Sequence, residues 1–131
     1  MTDIIEVPAV EGAIRNPSNP HHFMVVQPVG GRVRIWIDNT EVARSSSALR
    51  VIEVGRKAYE PRMYIPSSDV LVPLARSEKT THCPLKGEAS YLCLDGREVG
   101  WTYAAFDFAK VLDDHVSFWG AGRRIEETTV D

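Results

Sequence analysis

The sequence lacks any run of about 18 apolar residues, so it predicts no membrane-spanning helix. It also lacks an excess of Lys and Arg, because the formal net charge is −3. Nucleic acids and anionic membranes are bound through basic surfaces, so we expect neither as a partner. The first twenty residues carry no cationic segment followed by a long apolar core, which is the pattern of a secretory signal. The cytoplasm is therefore the expected location.

Cysteine is scarce, and this limits the disulfides and metal sites that the chain can form. Cys83 and Cys93 are the only two cysteines, and they lie ten positions apart without a CxxC pair. If residues 88–93 form a strand, its ends are separated by roughly 17 Å. A disulfide needs Cα atoms within about 7 Å, so we expect two free thiols. The four histidines are scattered, and the sequence predicts neither a metal site nor a cofactor.

Three pairs of turn-forming residues punctuate the sequence: Gly30-Gly31, Asp38-Asn39 and Asp95-Gly96. Residues of these types tolerate the left-handed backbone that two-residue hairpin turns require. Short apolar segments with alternating polarity flank each pair, and no long amphipathic helix is present. This pattern predicts an all-β domain with short antiparallel strands.

The expected architecture is a single compact barrel-like or sandwich domain, built from hairpins with one or two short helical turns. We assign this domain to residues 21–119. Residues 1–20 are expected to form a partly ordered N-terminal arm, because they hold three prolines and no sustained period. Residues 120–131 are expected to form a polar tail with little to bury.

The hairpin registers follow from the turns. Around Gly30-Gly31, Val26 faces Ile35. Around Asp95-Gly96, Leu92 faces Val99 and Glu88 faces Tyr103. This second register places Glu88 on the face of the predicted core, where it needs a partner such as Lys86 or the Tyr103 hydroxyl.

The segment TTHCPLKGEASY, residues 80–91, concentrates reactive side chains. The catalytic candidates are Cys83, Lys86, Glu88 and His82. A lysine near a thiol favours the nucleophilic thiolate, and a lysine by itself can bind an anion or form a Schiff base. Glu88 or His82 would transfer protons. The alternatives are that Cys83 is a small buried apolar residue and that Lys86 is a solvated surface lysine.

Further candidates for ligand binding lie outside this segment. Arg62 and Tyr64 alternate onto one face of the strand PRMYIP, and a guanidinium with a phenol suits an anionic or aromatic ligand. An ordinary ion pair between Arg62 and Asp69 is the alternative. The residues expected to bind the ligand are Lys86, Arg62, Tyr64, Trp101 and Tyr103.

Five segments occur together in an order that resembles the domain-of-unknown-function 427 family. They are GRVRIWIDNTEVARS, PRMYIPSSDV, TTHCPLKGEASY, GWTYAAF and HVSFW. The resemblance covers roughly residues 21–119, and its most specific element is the THCPxKGxA core, here Thr81–Ala89. It implies a small all-β domain of a mostly bacterial family. One departure is Ala104, because members often have proline at that position.

The family is sometimes labelled nucleotidyltransferase-like, and the residues give that label no support. Nucleotidyl transfer usually needs metal ions clamped by carboxylates. The adjacent carboxylates Asp113 and Asp114 diverge in both strands and helices, so they do not easily share one metal. Gly30-Gly31 is better explained as a hairpin turn than as a phosphate-binding loop.

Three functional hypotheses remain at this stage. The first is a domain that binds a small anionic ligand at a site built around Thr81–Glu88. The second is an enzyme that uses Cys83, Lys86 and Glu88. The third is a protein-interaction or homodimerisation module that pairs along an exposed strand edge, for which Pro73 in LVPLAR is the hint.

Overall fold

The computed structural model describes residues 9–129, so the parts of the expected arm and tail at residues 1–8 and 130–131 lie outside the described residues. Within that range the chain forms eleven strands and two short 3₁₀ segments, Ser67–Asp69 and Asp107–Leu112. The strands in chain order are β1 (Ile14–Asn16), β2 (Asn19–Pro28), β3 (Gly31–Ile37), β4 (Thr40–Ser45), β5 (Leu49–Val54), β6 (Arg62–Pro66), β7 (Ala75–Cys83), β8 (Gly87–Leu94), β9 (Arg97–Ala105), β10 (His115–Phe118) and β11 (Arg123–Thr129).

The strands form two antiparallel sheets. The large sheet has eight strands in the order β1-β2-β5-β6-β10-β9-β8-β7, and the small sheet has three in the order β11-β3-β4. The sheets do not close into a barrel. The all-β prediction is confirmed, and of its two forms the sandwich is the one observed. No helix in residues 9–129 is long and apolar enough to cross a membrane.

The main core lies between the two sheets. On β3 the buried residues Val33, Ile35 and Ile37 alternate with more exposed side chains, as expected for a strand with one buried face. They pack with Ile65 of the large sheet and with Phe118 of β10. Each side chain of this size stabilises the fold by about 1.5–3 kcal/mol when it is fully buried.

A second apolar cluster covers part of the opposite face of the large sheet. Tyr64 belongs to it, whereas the next residue, Ile65, belongs to the main core. Leu85 and Leu112 also lie in this second cluster, so the 3₁₀ segment Asp107–Leu112 packs on the face of the sheet that points away from the small sheet. The candidate site described below lies on this face.

Two of the three predicted hairpin turns are confirmed. Asp38 and Asp95 each adopt positive φ, 53° and 50°, between β3 and β4 and between β8 and β9. The prediction of a hairpin at Gly30-Gly31 is wrong, because β2 and β3 do not pair with each other. β2 pairs with β1 and β5, whereas β3 pairs with β4 and β11. Gly31 lies inside β3, where a Cβ atom would stand 2.0 Å from the carbonyl oxygen of Thr128. Close contact with β11, rather than a turn, explains this glycine.

The predicted register of the β8–β9 hairpin is correct only near the turn. Cys93 lies opposite Glu98, and an irregularity between Leu92 and Cys93 then shifts the ladder by one residue. Leu92 therefore faces Gly100 instead of Val99, and Glu88 faces Ala104 instead of Tyr103. The extra residue is Val99 on β9, so Trp101 and Tyr103 point to the face opposite to that of Glu88. Glu88 is more than half exposed, and its predicted position in the core is wrong.

Strand pairing extends beyond residues 21–119 at both ends. β1 and the start of β2 lie within the expected arm. β11 lies within the expected tail and pairs with β3 from Arg123 to Thr129. Most of this segment is exposed, as expected of a polar tail, whereas Ile125 packs against the main core. Pro73 lies outside the strands, since β7 begins at Ala75.

Candidate functional site

A cavity of about 490 Å³ opens beside the second apolar cluster. Alternate residues of three strands, which point to the same face, form its walls. The lining residues are Val51 and Glu53 of β5, Arg62 and Tyr64 of β6, Trp101 and Tyr103 of β9, the connection Lys57–Glu60, and Cys83 and Lys86. Its volume lies within the range of about 300–1,000 Å³ that is usual for small-molecule sites.

The cavity brings together most of the residues singled out in the sequence. Its lining includes six of them: Arg62, Tyr64, Cys83, Lys86, Trp101 and Tyr103. His82 and Glu88 do not line it. Their side chains are more than half exposed and pair with each other across the β7–β8 ladder. The predicted pair between Lys86 and Glu88 is therefore wrong.

The turn between β7 and β8 directs Lys86 inward. Leu85 is fully buried and anchors the turn in the second apolar cluster. The carbonyl of Lys86 accepts a hydrogen bond from the backbone N–H of Phe106 at 2.9 Å. Gly87 has φ 130°, and a Cβ atom there would stand 2.2 Å from the carbonyl oxygen of Ala104. Only glycine fits this position, so the sequence Lys86-Gly87 holds the lysine in place.

Lys86 forms a buried ion pair with Glu53. The Lys86 side chain is 7% exposed, and its ammonium donates to Oε1 of Glu53. The other carboxylate oxygen, Oε2, lies 2.7 Å from Nε2 of His22. Burial raises the pKa of Glu53, but the charge of Lys86 and the hydrogen bond from His22 outweigh it and hold that pKa below its usual range. Lys86 is thus not the solvated surface lysine considered above.

The thiol of Cys83 lies next to this ion pair. Its Sγ is 4.0 Å from Nζ of Lys86, and the residue is half-buried in the wall of the cavity. Cys83 and Cys93 are both free thiols, as predicted.

Two phenol groups face the cavity in neutral form. The indole N–H of Trp101 donates to the hydroxyl of Tyr64 at 3.2 Å. Burial raises the pKa of Tyr64 and of Tyr103, and for Tyr103 the neighbouring Tyr64 and Cys83 raise it further. Within residues 9–129 no acceptor is found for the hydroxyl proton of either tyrosine. Both phenols are therefore able to donate to a ligand.

Arg62 supplies a positive charge that no carboxylate in the described residues neutralises. Its guanidinium carbon lies 5.6 Å from the centre of the Trp101 ring, and among residues 9–129 it has no ion-pair partner. Asp69, its predicted alternative partner, accepts a hydrogen bond from Ser45 at 2.6 Å instead. The nearby carboxylate of Glu60 pairs with Arg123.

Sequence reasoning missed Glu53 and His22. Val51 and Glu53 share one face of β5, so a carboxylate on an otherwise apolar face was the available signal. It did not indicate a partner, since Lys86 lies 33 positions away. Ser117 was also missed. It lies opposite Trp101 on β10, and its buried hydroxyl has no hydrogen-bond partner in the described chain.

The donor set of the cavity does not suit a two-metal clamp. No group of three His, Cys, Asp or Glu residues within the described range is placed to hold a metal ion. The Glu53 carboxylate is already engaged by Lys86 and His22. Asp113 accepts a hydrogen bond from the backbone of Ala105.

One protein-family model matches residues 25–131, and its description is "Domain of unknown function (DUF427)". The match includes β3 and every later strand, and it agrees with the resemblance found in the sequence. No curated protein matches the chain.

Proposed function

The chain belongs to the DUF427 family, whose description assigns no reaction, and we propose that it binds a small anionic ligand in the cavity beside Arg62. The cavity residues that would hold this ligand are Arg62, Tyr64, Tyr103, Trp101 and Lys86. Of the motif Thr81–Glu88, only Cys83 and Lys86 line the cavity, so the motif contributes one wall of the site.

The observation that carries the proposal is the guanidinium of Arg62, which lines the cavity without an ion-pair partner in residues 9–129. Guanidinium groups bind carboxylates and phosphates through paired charge-assisted hydrogen bonds. The hydroxyls of Tyr64 and Tyr103 add two neutral donors on the same side. Lys86 contributes less net charge, because Glu53 neutralises it.

NMR titration with inorganic phosphate and with benzoate tests this proposal. We expect saturable shifts of backbone signals from β6 and β9, and at least a tenfold loss of affinity in Arg62→Ala. A charge-assisted hydrogen bond contributes about 1.5–3 kcal/mol, which corresponds to this loss or more. Arg32→Ala is the matched control, since Arg32 is exposed on β3 of the small sheet. If neither anion binds, or if both variants lose affinity equally, the proposal is wrong.

The second candidate is a thiol-dependent reaction on the bound ligand. The 4.0 Å separation between Cys83 Sγ and Lys86 Nζ inside the cavity favours it, because a nearby ammonium stabilises a thiolate. Cys93 is a matched comparison, since it is also a half-buried free thiol.

Alkylation by iodoacetamide, followed by mass spectrometry, tests this candidate. We expect Cys83 to react faster than Cys93, to slow in Lys86→Met, and to be protected by phosphate. If Cys83 reacts no faster than Cys93 and Lys86→Met leaves its rate unchanged, the enzyme hypothesis loses its nucleophile.

A further inference from the structure

Three aromatic side chains form a row on the cavity face of the large sheet. The row is defined by Tyr91 on β8, Trp101 on β9 and Trp119 directly after β10. The ring centres of Tyr91 and Trp101 are 6.5 Å apart, and those of Trp101 and Trp119 are 6.3 Å apart. Trp101, the middle member of the row, also lines the cavity, so Tyr91 and Trp119 flank the cavity wall.

Trp119 is the most exposed member of the row. The ammonium of Lys79 lies 4.2 Å from the centre of the Tyr91 ring, and Arg62 lies 5.6 Å from that of Trp101. In the described part of the chain, no cation lies over Trp119, and this residue is 37% exposed. The exposed part of its indole is therefore available to contact a ligand.

Arg62 and Trp119 lie on neighbouring parts of the large sheet, because Arg62 is on β6 and Trp119 directly follows β10, the strand that pairs with β6. Arg62 and Trp119 each approach Trp101, at 5.6 Å and 6.3 Å from its ring centre. A ligand in contact with Trp101 would therefore have both groups close by. Its anionic part would meet Arg62 and the tyrosine hydroxyls, and a planar part would meet Trp119.

We propose that Trp119 is a stacking subsite for a planar ring joined by a short spacer to the anionic group of the ligand. This inference rests on the proposed binding of an anion at Arg62, and it narrows the ligand class to ring-bearing phosphates or carboxylates. Stacking on an exposed indole adds affinity only for ligands that carry the ring.

Two matched pairs of probes test the subsite by isothermal titration calorimetry on the full chain. The first pair is adenosine 5′-monophosphate and ribose 5-phosphate, and the second is indole-3-butyrate and butyrate. Within each pair the members differ by the planar ring alone. We expect the ring-bearing member to bind about five- to tenfold more tightly. The ring-free member with the higher affinity, ribose 5-phosphate or butyrate, identifies the preferred anionic group as phosphate or carboxylate.

The decisive variant is Trp119→Ala. In this variant the ratio of affinities between the ring-bearing and the ring-free member of each pair should fall to about one, while the ring-free anions keep their affinity. Trp119→Phe should retain part of the ratio. Trp36→Ala is the matched control, because Trp36 lies on β3 of the small sheet beneath two arginines. Circular dichroism spectra of all variants verify folding.

The outcomes separate the subsite from the anion site. If the ring gives no advantage in the unmodified protein, or if Trp119→Ala weakens both members of a pair equally, the stacking subsite is wrong while anion binding stands. If no probe binds, or if Arg62→Ala leaves all four affinities unchanged, anion binding at Arg62 fails, and the stacking subsite fails with it.

Discussion

At the residue scale, a single carboxylate governs the charge of the cavity. Glu53 lies between the ammonium of Lys86 and the imidazole of His22, and it is only 19% exposed. An unpaired buried charge is costly, so removal of either partner is expected to cost more than a surface ion pair would. The arrangement neutralises Lys86, and within residues 9–129 it leaves Arg62, with Lys57, as the cavity cations that have no ion-pair partner.

This arrangement predicts a specific dependence of stability on pH. The pKa of Glu53 is lowered in the folded protein, so its stabilising contribution is complete above its unfolded pKa of about 4.3 and is lost as the pH falls through the lower folded value. Glu53→Gln removes this contribution. We expect it to cost about 2 kcal/mol or more at pH 7, because Lys86 loses its counter-charge, and to flatten the loss of stability below about pH 4.3.

Urea unfolding between pH 7 and pH 3 measures this effect. Glu88→Gln is the control, because Glu88 is an exposed carboxylate outside the cavity. Parallel pH curves for the unmodified protein and Glu53→Gln would show that Glu53 does not carry this dependence.

The buried hydroxyl of Ser117 gives a second prediction at this scale. It has no hydrogen-bond partner within residues 9–129. Such a group loses its hydration on folding and gains no hydrogen bond in exchange. We expect Ser117→Ala to leave the free energy of unfolding unchanged or to raise it by up to about 1 kcal/mol. Chemical denaturation checks the value. A loss of more than about 1 kcal/mol would show that the hydroxyl does make a stabilising interaction.

At the scale of strands, the least expected element is β11. Its sequence is polar apart from Ile125, so composition alone indicated a tail. Yet seven residues of β11 pair with β3, and the backbone of Thr128 lies so close to Gly31 that a Cβ atom would clash. A polar strand is stable here because it forms the outer edge of the small sheet, where one side faces solvent.

Adjacent glycines test the docking of β11. Gly31→Ala places a Cβ atom 2.0 Å from a backbone oxygen, and we expect it to destabilise the fold by about 2 kcal/mol or more. At Gly30 no atom lies within 4 Å of the added Cβ, and φ is not positive, so Gly30→Ala should be nearly neutral. Thermal denaturation of the two variants shows whether Gly31 lies in a strand against β11 or in a hairpin turn. Equal losses of thermal stability in the two variants would support the hairpin turn at Gly30-Gly31.

The β8–β9 hairpin shows what local sequence can and cannot predict. Asp95 and Gly96 indicate the turn, because few other residues adopt positive φ readily. The irregularity next to Cys93 is set by packing across the sheet, and no turn residue marks it. This one-residue shift turned Trp101 and Tyr103 of β9 away from the face of Glu88, which is exposed and pairs with His82 outside the site.

At the scale of the whole molecule, the site is assembled from distant parts of the chain. Alternation along single strands was sufficient to identify Arg62 with Tyr64, and Trp101 with Tyr103. The sequence could not predict the neighbourhood of Glu53 and Lys86, because that depends on the order of strands in the large sheet. The all-β class followed from turns and short strands, whereas the choice of sandwich over barrel depends on pairings between remote strands.

The oligomeric state is also decided at this scale. One edge strand along which a homodimer could pair is β7, which forms one of the two edges of the large sheet. This strand carries Glu78 and Lys79, and its ladder is irregular between Arg76 and Thr80. Charges and irregularities of this kind protect edge strands from pairing. We expect a monomer at all accessible concentrations in sedimentation velocity, and a concentration-dependent dimer would favour the interaction hypothesis.

The most direct test of anion binding at Arg62 is anomalous diffraction from crystals soaked in selenate. Selenate has the tetrahedral shape of phosphate, and the selenium atom locates it without ambiguity. We predict an anomalous peak in the cavity, within hydrogen-bond reach of the Arg62 guanidinium and of the hydroxyls of Tyr64 and Tyr103. Selenate bound at other surfaces of the protein, with an accessible cavity that contains no peak, would contradict the proposed function.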